Sequence, residues 1–135
     1  MAQRGPSESQ EHANLVRMMA THYQNQGFTD IRADLPGYSQ PDIIRGTKED
    51  HRPDLTCRRN DLSGTMIILE AETASTVSEA HTASQWTLFA AAPGQWDGEF
   101  HVVVPKVVQG QSGHVAAKER ARQLGISLAQ TWTPT

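Results

Sequence analysis

Apolar residues fall at helical spacing near the start of the chain, at Leu15, Met19 and Tyr23, with Val16 and Met18 beside them. Ser7 and Gln10 stand in the i, i+3 relation of a capping box, so a helix is predicted from Ser7 or Ser9 to Gln26, stopped by Gly27. Glu8 and Glu11 precede Leu15 by seven and four residues, which sets both on the inward side of the first turns. Alternation through Phe28, Ile31 and Ala33 predicts a strand over Phe28–Asp34. Leu35–Pro53 is a long polar connection with Pro36, Gly37, Pro41 and Gly46, a length that is uncommon unless the loop carries function or is disordered. A short strand is expected over Pro53–Arg59, a hairpin over Asn60–Gly64, and a strand over Thr65–Glu72. The unbroken run Met66–Leu69 places that strand at a sheet centre, buried on both faces. An Ala-rich helix follows over Thr73–Ala92, with Val77, Ala80, Ser84, Leu88 and Ala91 as its stripe and Pro93-Gly94 as its end. Phe100–Val104 reads as a buried strand, Gln109–Gly113 as a Gly-rich loop, His114–Leu124 as a helix closed by Gly125, and Ile126–Thr131 as a last strand. The order α-β-β-β-α-β-α-β, without internal repeat, implies an α/β sandwich with partly parallel pairing.

Composition narrows this to one domain over 1–135, with the first six residues as a loose tail. A chain of 135 residues with 37% hydrophobic and 20% charged content is long enough to bury a core of its own. Its longest apolar runs are too short to cross a membrane, and the N-terminus lacks the apolar stretch of a secretory leader. A cytoplasmic protein with no membrane partner is expected. Cys57 is the sole cysteine, which excludes an intramolecular disulfide and a multi-cysteine zinc site; its place on the strand predicts a buried, inert thiol. The formal charge of -3 does not advertise nucleic-acid binding. Distribution matters more than the sum, because Arg45, Lys48, Arg52, Arg58 and Arg59 fall close together and guanidinium forks suit phosphate oxygens.

The sharpest chemical signal lies in Pro53-Asp54 and Glu70-Ala71-Glu72. Strand side chains alternate faces, so Glu70 and Glu72 project on one side, about 7 Å apart. Asp54 shares its face with Thr56 and Arg58, while Leu55 and Cys57 take the other. If the two strands are hairpin neighbours, Asp54 comes beside Glu70. Carboxylates gathered at the end of a half-buried sheet repel one another and lose hydration, and a divalent cation removes both costs. Hard Mg²⁺ suits an Asp, a Glu and a backbone carbonyl such as that of Ala71.

This arrangement resembles the PD-(D/E)xK nuclease superfamily, whose fold is restriction-endonuclease-like: an α-β-β-β-α-β core with a mixed central sheet flanked by helices. Pro53-Asp54 matches the PD element and Glu70-Ala71-Glu72 the (D/E)xK element, with Glu72 where the family usually carries Lys. The resemblance implies Asp54 and Glu70 as ligands of Mg²⁺, with Mn²⁺ as a substitute. It implies Glu11, or in its place Glu8, as the helix carboxylate aimed at the metal. Gln85, in Gln85-Trp86-Thr87-Leu88-Phe89, is similar to the Gln-xxx-Tyr element of exonuclease-like branches, with Phe89 for Tyr. Glu72 then takes a proton from the attacking water. The implied activity is hydrolysis of phosphodiester bonds in DNA, endo- or exonucleolytic, with RNA as the second candidate. Arg45, Arg52, Arg58 and Arg59 would position the backbone. A small domain without a recognition module implies a homodimer or a larger protein partner. The alternative is a non-catalytic module of the same fold, for binding or assembly, that has lost the catalytic Lys. For the acids the plain reading is strand-end carboxylates paired with Arg52 or Arg58. The scattered His51, His81, His101 and His114 read as structural or exposed.

Overall fold

A computed structural model describes residues 6–46, 48–77, 80–91 and 98–134, the side chains of 6–9, 80 and 81 aside. Helix α1 (Pro6–Asn25) starts one residue before the capping box, because proline's fixed φ and missing N–H suit the first helical position. Strands β1 (Thr29–Ala33), β2 (Leu55–Arg58) and β3 (Met66–Ala71) pair antiparallel; β4 (Gly98–Val103) and β7 (Gln130–Trp132) then pair parallel to β3. The sheet order is β1-β2-β3-β4-β7. This is a mixed five-stranded α/β sheet.

Alternation along β3 divides the core. Ile67, Leu69 and Ala71 join Leu55, Cys57 and Val103 under the buried stripe Leu15, Val16, Met19, Ala20 and Tyr23 of α1. On the other face Ile68 joins Phe100 and Val102 beneath helices α2 (Ala80–Ala91) and α3 (Gly113–Leu124). Both parallel crossovers, β3-α2-β4 and β4-α3-β7, cover the same face, so α1 has the opposite face to itself.

Three expected boundaries move. Thr73–Val77 forms turns rather than the first turn of α2, because hydroxyls compete for the backbone. Thr76 Oγ1 accepts the Thr73 amide at 2.9 Å, and the Thr76 amide turns back to the Thr73 carbonyl at 3.2 Å. On α2 the buried positions are Thr82, Trp86 and Phe89, while Ser84, Leu88 and Ala91 of the expected stripe face outward onto a cleft. Two aromatic rings bury far more area than Ala and Ser, and they set the helix's rotation. The expected helix end at Pro93-Gly94 lies outside the described residues. The Gly-rich loop is a hairpin between β5 (Val107–Val108) and β6 (Gln111–Ser112), turned at Gln109 and Gly110 with φ of 52° and 81°. Gly113 is obligatory where that hairpin meets α3, since a Cβ there would stand 2.0 Å from the Pro105 carbonyl oxygen. Among the described residues no helix is long and apolar enough to cross a membrane.

A buried polar chain ties α1, β4 and β7 together. The indole N–H of Trp132, which can only donate, points at His101 Nδ1 from 3.2 Å, and the Tyr23 hydroxyl lies 2.8 Å from the same nitrogen. Nδ1 is therefore the acceptor, and His101 Nε2–H donates to Glu99 at 3.0 Å. Arg59 grips Glu99 with two nitrogens, at 2.8 and 3.1 Å. Burial holds the imidazole of His101 below its ordinary range, against the pull of Glu99. Burial likewise pushes the Cys57 thiol up to about 12, so this cysteine is an inert core residue.

The depressed His101 binds fewer protons folded than unfolded, so its contribution is lost as pH falls below about 6.5. Urea midpoints of the wild type are expected to drop through that window, and those of His101→Gln, which keeps a donor for Glu99, to drop less. Tyr23→Phe is expected to cost about 1 kcal/mol, because Trp132 still serves His101 Nδ1.

Candidate functional site

The β2–β3 ladder runs with Leu55 opposite Leu69. One step further, Asp54 stands across from Glu70, and the ladder changes character. The Asp54 amide donates to Glu70 Oε1 at 3.0 Å, and the Ala71 amide donates to Asp54 Oδ2 at 2.9 Å. Each acid thus accepts an amide of the opposing strand. Glu72 continues the β3–β4 pairing through its amide to the Val103 carbonyl at 3.0 Å. Its side chain lies on the Glu70 face, where Thr82 Oγ1 of α2 donates to Oε2 at 3.1 Å.

Glu70 is 2% and Glu72 1% exposed. Burial, then the neighbouring charges of Asp54 and Glu72, hold Glu70 well above the usual carboxylate range. The Glu70 carboxyl, whose charged form these surroundings disfavour, rests against Asp54. Asp54 Oδ2 also faces His12 Nε2 at 3.1 Å, and these two side chains are 14% and 15% exposed. They are more exposed than Glu70 and Glu72 behind them.

His12 was not singled out among the candidate residues. Its signal is the helical stripe, since His12, Val16, Met19 and Tyr23 recur at steps of four, three and four, and Val16 is the deeper of the adjacent Leu15 and Val16. Glu11, taken from its spacing to Leu15, lies on the exposed side of α1, beside a cleft shared with Lys106 and Pro134. The side chain of Glu8 lies outside the described residues. Gln85 is half-buried on α2 and makes no hydrogen bond among the described residues, and its partner in the pattern, Phe89, is core.

The arginines divide by strand end. Arg58 and Arg59 close β2 at the end away from Asp54, where Arg58 donates to the Gly64 carbonyl at 3.1 Å and Arg59 is held by Glu99. Arg52 donates to the Pro41 carbonyl at 2.7 Å, bracing the loop before Asp54. Arg45 is exposed, with Asp50 at 3.6 Å. Neither Arg52 nor Arg58 pairs with Asp54 or Glu70, contrary to the plain reading of those acids.

Among the described residues no group of three His, Cys, Asp or Glu is arranged to hold a metal ion. The arrangement is instead a linked Asp54–Glu70 pair, with Glu72 behind it and His12 in front. Such a corner can hold a proton, bind a hard cation through two carboxylates, or accept a proton from water.

Glu70→Gln keeps the acceptor for the Asp54 amide and offers an N–H to the Asp54 carboxylate. In EDTA it is expected to be as stable as the wild type or about 1 kcal/mol more stable in urea melts, whereas Glu70→Ala loses about 2 kcal/mol or more. The chain has no significant match among protein-family models, curated proteins or solved structures.

Proposed function

We propose that the Asp54–Glu70–Glu72 corner is a divalent-cation site and that the protein is a metal-dependent phosphodiesterase acting on nucleic acid, a divergent relative of the PD-(D/E)xK nucleases. One observation carries the reading: Glu70, at 2% exposure, sits against the carboxyl group of Asp54 with Glu72 on the same strand face. Apolar side chains would serve stability better there, and a corner of acids kept at that cost suits a site. Mg²⁺ is usually held by one or two carboxylates, with waters and substrate phosphate oxygens completing its shell. Asp54 and Glu70 supply that donor set, and Mn²⁺ accepts the same oxygens.

A bound dication would polarise the phosphoryl oxygen and lower the pKa of a bound water. The chain's own residues do the rest. The Ala71 amide and His12 fix the Asp54 carboxylate from two sides. Thr82 holds Oε2 of Glu72, which stands in the Lys position of the family pattern and serves as proton acceptor for the attacking water. Leu69 and Ala71, on the opposite strand face, pack beneath α1 and keep β3 from shifting.

The Glu72-for-Lys replacement favours one alternative, a nuclease-fold module that binds or assembles without cutting. Calorimetry with Mn²⁺ is expected to give a binding heat that Asp54→Asn and Glu70→Gln remove. His12→Ala, which touches a ligand rather than the ion, is expected to weaken affinity by about 10- to 100-fold. Labelled single- and double-stranded DNA should be cut in Mg²⁺ or Mn²⁺ and left intact by Asp54→Asn. Metal binding without cleavage would leave the non-cutting module, and no metal binding at all would remove the site.

A further inference from the structure

The loop before β2 and the outer face of α2 enclose a cleft of about 710 Å³ that the carboxylate corner does not use. Its floor is braced: Ser84 Oγ on α2 donates to Glu49 Oε2 at 2.9 Å, and His51 Nε2 lies 3.1 Å from both Ser84 Oγ and Glu49 Oε2. The loop is closed on itself by a bridge between Ile44 and His51, with backbone hydrogen bonds of 2.8 and 3.0 Å. Arg45 and Lys48 stand at the rim, both exposed, and Leu88 supplies a half-buried apolar wall. Such a cleft combines cations, polar groups already fixed in place, and an apolar surface. Its size is that of a small-ligand site.

The loop wall leads to the acids, since His51 precedes Asp54 by three residues, a span of at most about 11 Å; α2 carries the cleft on its outer face and, through Thr82 on its buried face, holds Glu72. Building on the phosphodiesterase reading, we infer that this cleft is the groove for a single nucleic-acid strand, taking the nucleotides next to the one presented to Asp54 and Glu70. Arg45 and Lys48 meet the phosphates. The Arg45–Asp50 pair is no obstacle, because an exposed contact of 3.6 Å is weak and screened. The base lies on the Leu88 wall, and Glu49, already engaged by Ser84 and His51, has lone pairs left for a sugar hydroxyl or base amino group. One flexible strand suits the space between a helix and a braced loop.

The test is fluorescence anisotropy with a labelled oligothymidylate in EDTA, so that neither metal binding nor cleavage enters the readout. The wild type is expected to bind the single strand in preference to the duplex. Arg45→Ala and Lys48→Ala should each lower the slope of log affinity against log salt by roughly one. Thr87→Glu should weaken binding by about tenfold or more, because it sets a carboxylate in the path of the phosphates. Thr87 is exposed and its hydroxyl bonds only within α2, so the fold is not at stake. Lys118→Ala, on the far side of α3 in a separate cleft, is expected to leave binding unchanged. The groove is overturned if the wild type does not bind, if duplex binds as tightly, if Thr87→Glu retains affinity, or if Lys118→Ala weakens it equally. Loss of cleavage in Asp54→Asn, read separately in Mn²⁺, judges the catalytic reading, so the two can fail independently.

Discussion

Where β2 meets β3, two acidic side chains take over the role of backbone partners. Pro53 has no amide hydrogen to offer the ladder, and the Asp54 amide goes to Glu70 rather than to a carbonyl. The Ala71 amide goes to Asp54 in return. This exchange decides where β2 begins and aligns Asp54 with the end of the central strand. Asp54 also accepts the Asp34 amide at its carbonyl, at 2.9 Å, so the same residue fixes the far end of the long β1–β2 connection. With α1 packed on one face and α2 on the other, His12 and Thr82 reach the corner from opposite sides. Without the exchange, the acids would stay hydrated and the loop would have no fixed point beside them.

The two ends of the sheet resolve their charges differently. At one end Glu99 has the Arg59 guanidinium and His101 as partners, and these together hold its carboxyl below the usual range. Trp132 and Tyr23 complete that chain, so every buried donor and acceptor in it has a counterpart. It is a tie between α1, β4 and β7. At the other end the acids have each other, two amides, the His12 ring and the Thr82 hydroxyl. A buried carboxyl group set among like charges is a poor way to hold two strands together, since neutral residues would serve. The contrast within one sheet supports the proposal of a chemical site at the Asp54 corner and an architectural role for the His101 chain.

Strand alternation carried most of what was legible. The run Met66–Leu69 placed β3 at the centre, and from there the faces of Asp54, Glu70 and Glu72 followed without further information. Antiparallel pairing of β2 and β3 came from the short connection between them. Helices were read less well, because a stripe of comparable residues leaves the rotation ambiguous. On α1 this put Glu11 in place of its neighbour His12, whose contact with Asp54 spans forty-two residues. On α2 the small residues drew the stripe, while Trp86 and Phe89 set the packing. The start of α2 was misplaced for a local reason: Thr73 and Thr76 satisfy backbone groups that a helix would otherwise claim. Arginine clustering in sequence also overstated clustering in space. Arg58 ends the four-residue strand that follows Asp54, Arg59 comes next, and they serve Gly64 and Glu99.

That separation of arginines bears on how an acidic chain can handle a polyanion at all. With a net charge of -3 and a corner of carboxylates, the long-range field does not draw nucleic acid in. Attraction has to be local, from the few exposed cations of the loop before β2, among them Arg45 and Lys48. Two phosphate contacts give weak, strongly salt-dependent retention, and no base-reading element accompanies them. On the proposed reading selection comes from access, since Asp54 and His12 are the more exposed members of the corner and the cleft before β2 takes a flexible strand. A corner that is acidic and nearly sealed is thus consistent with a substrate that arrives as a flexible strand and brings part of the cation's coordination shell with it.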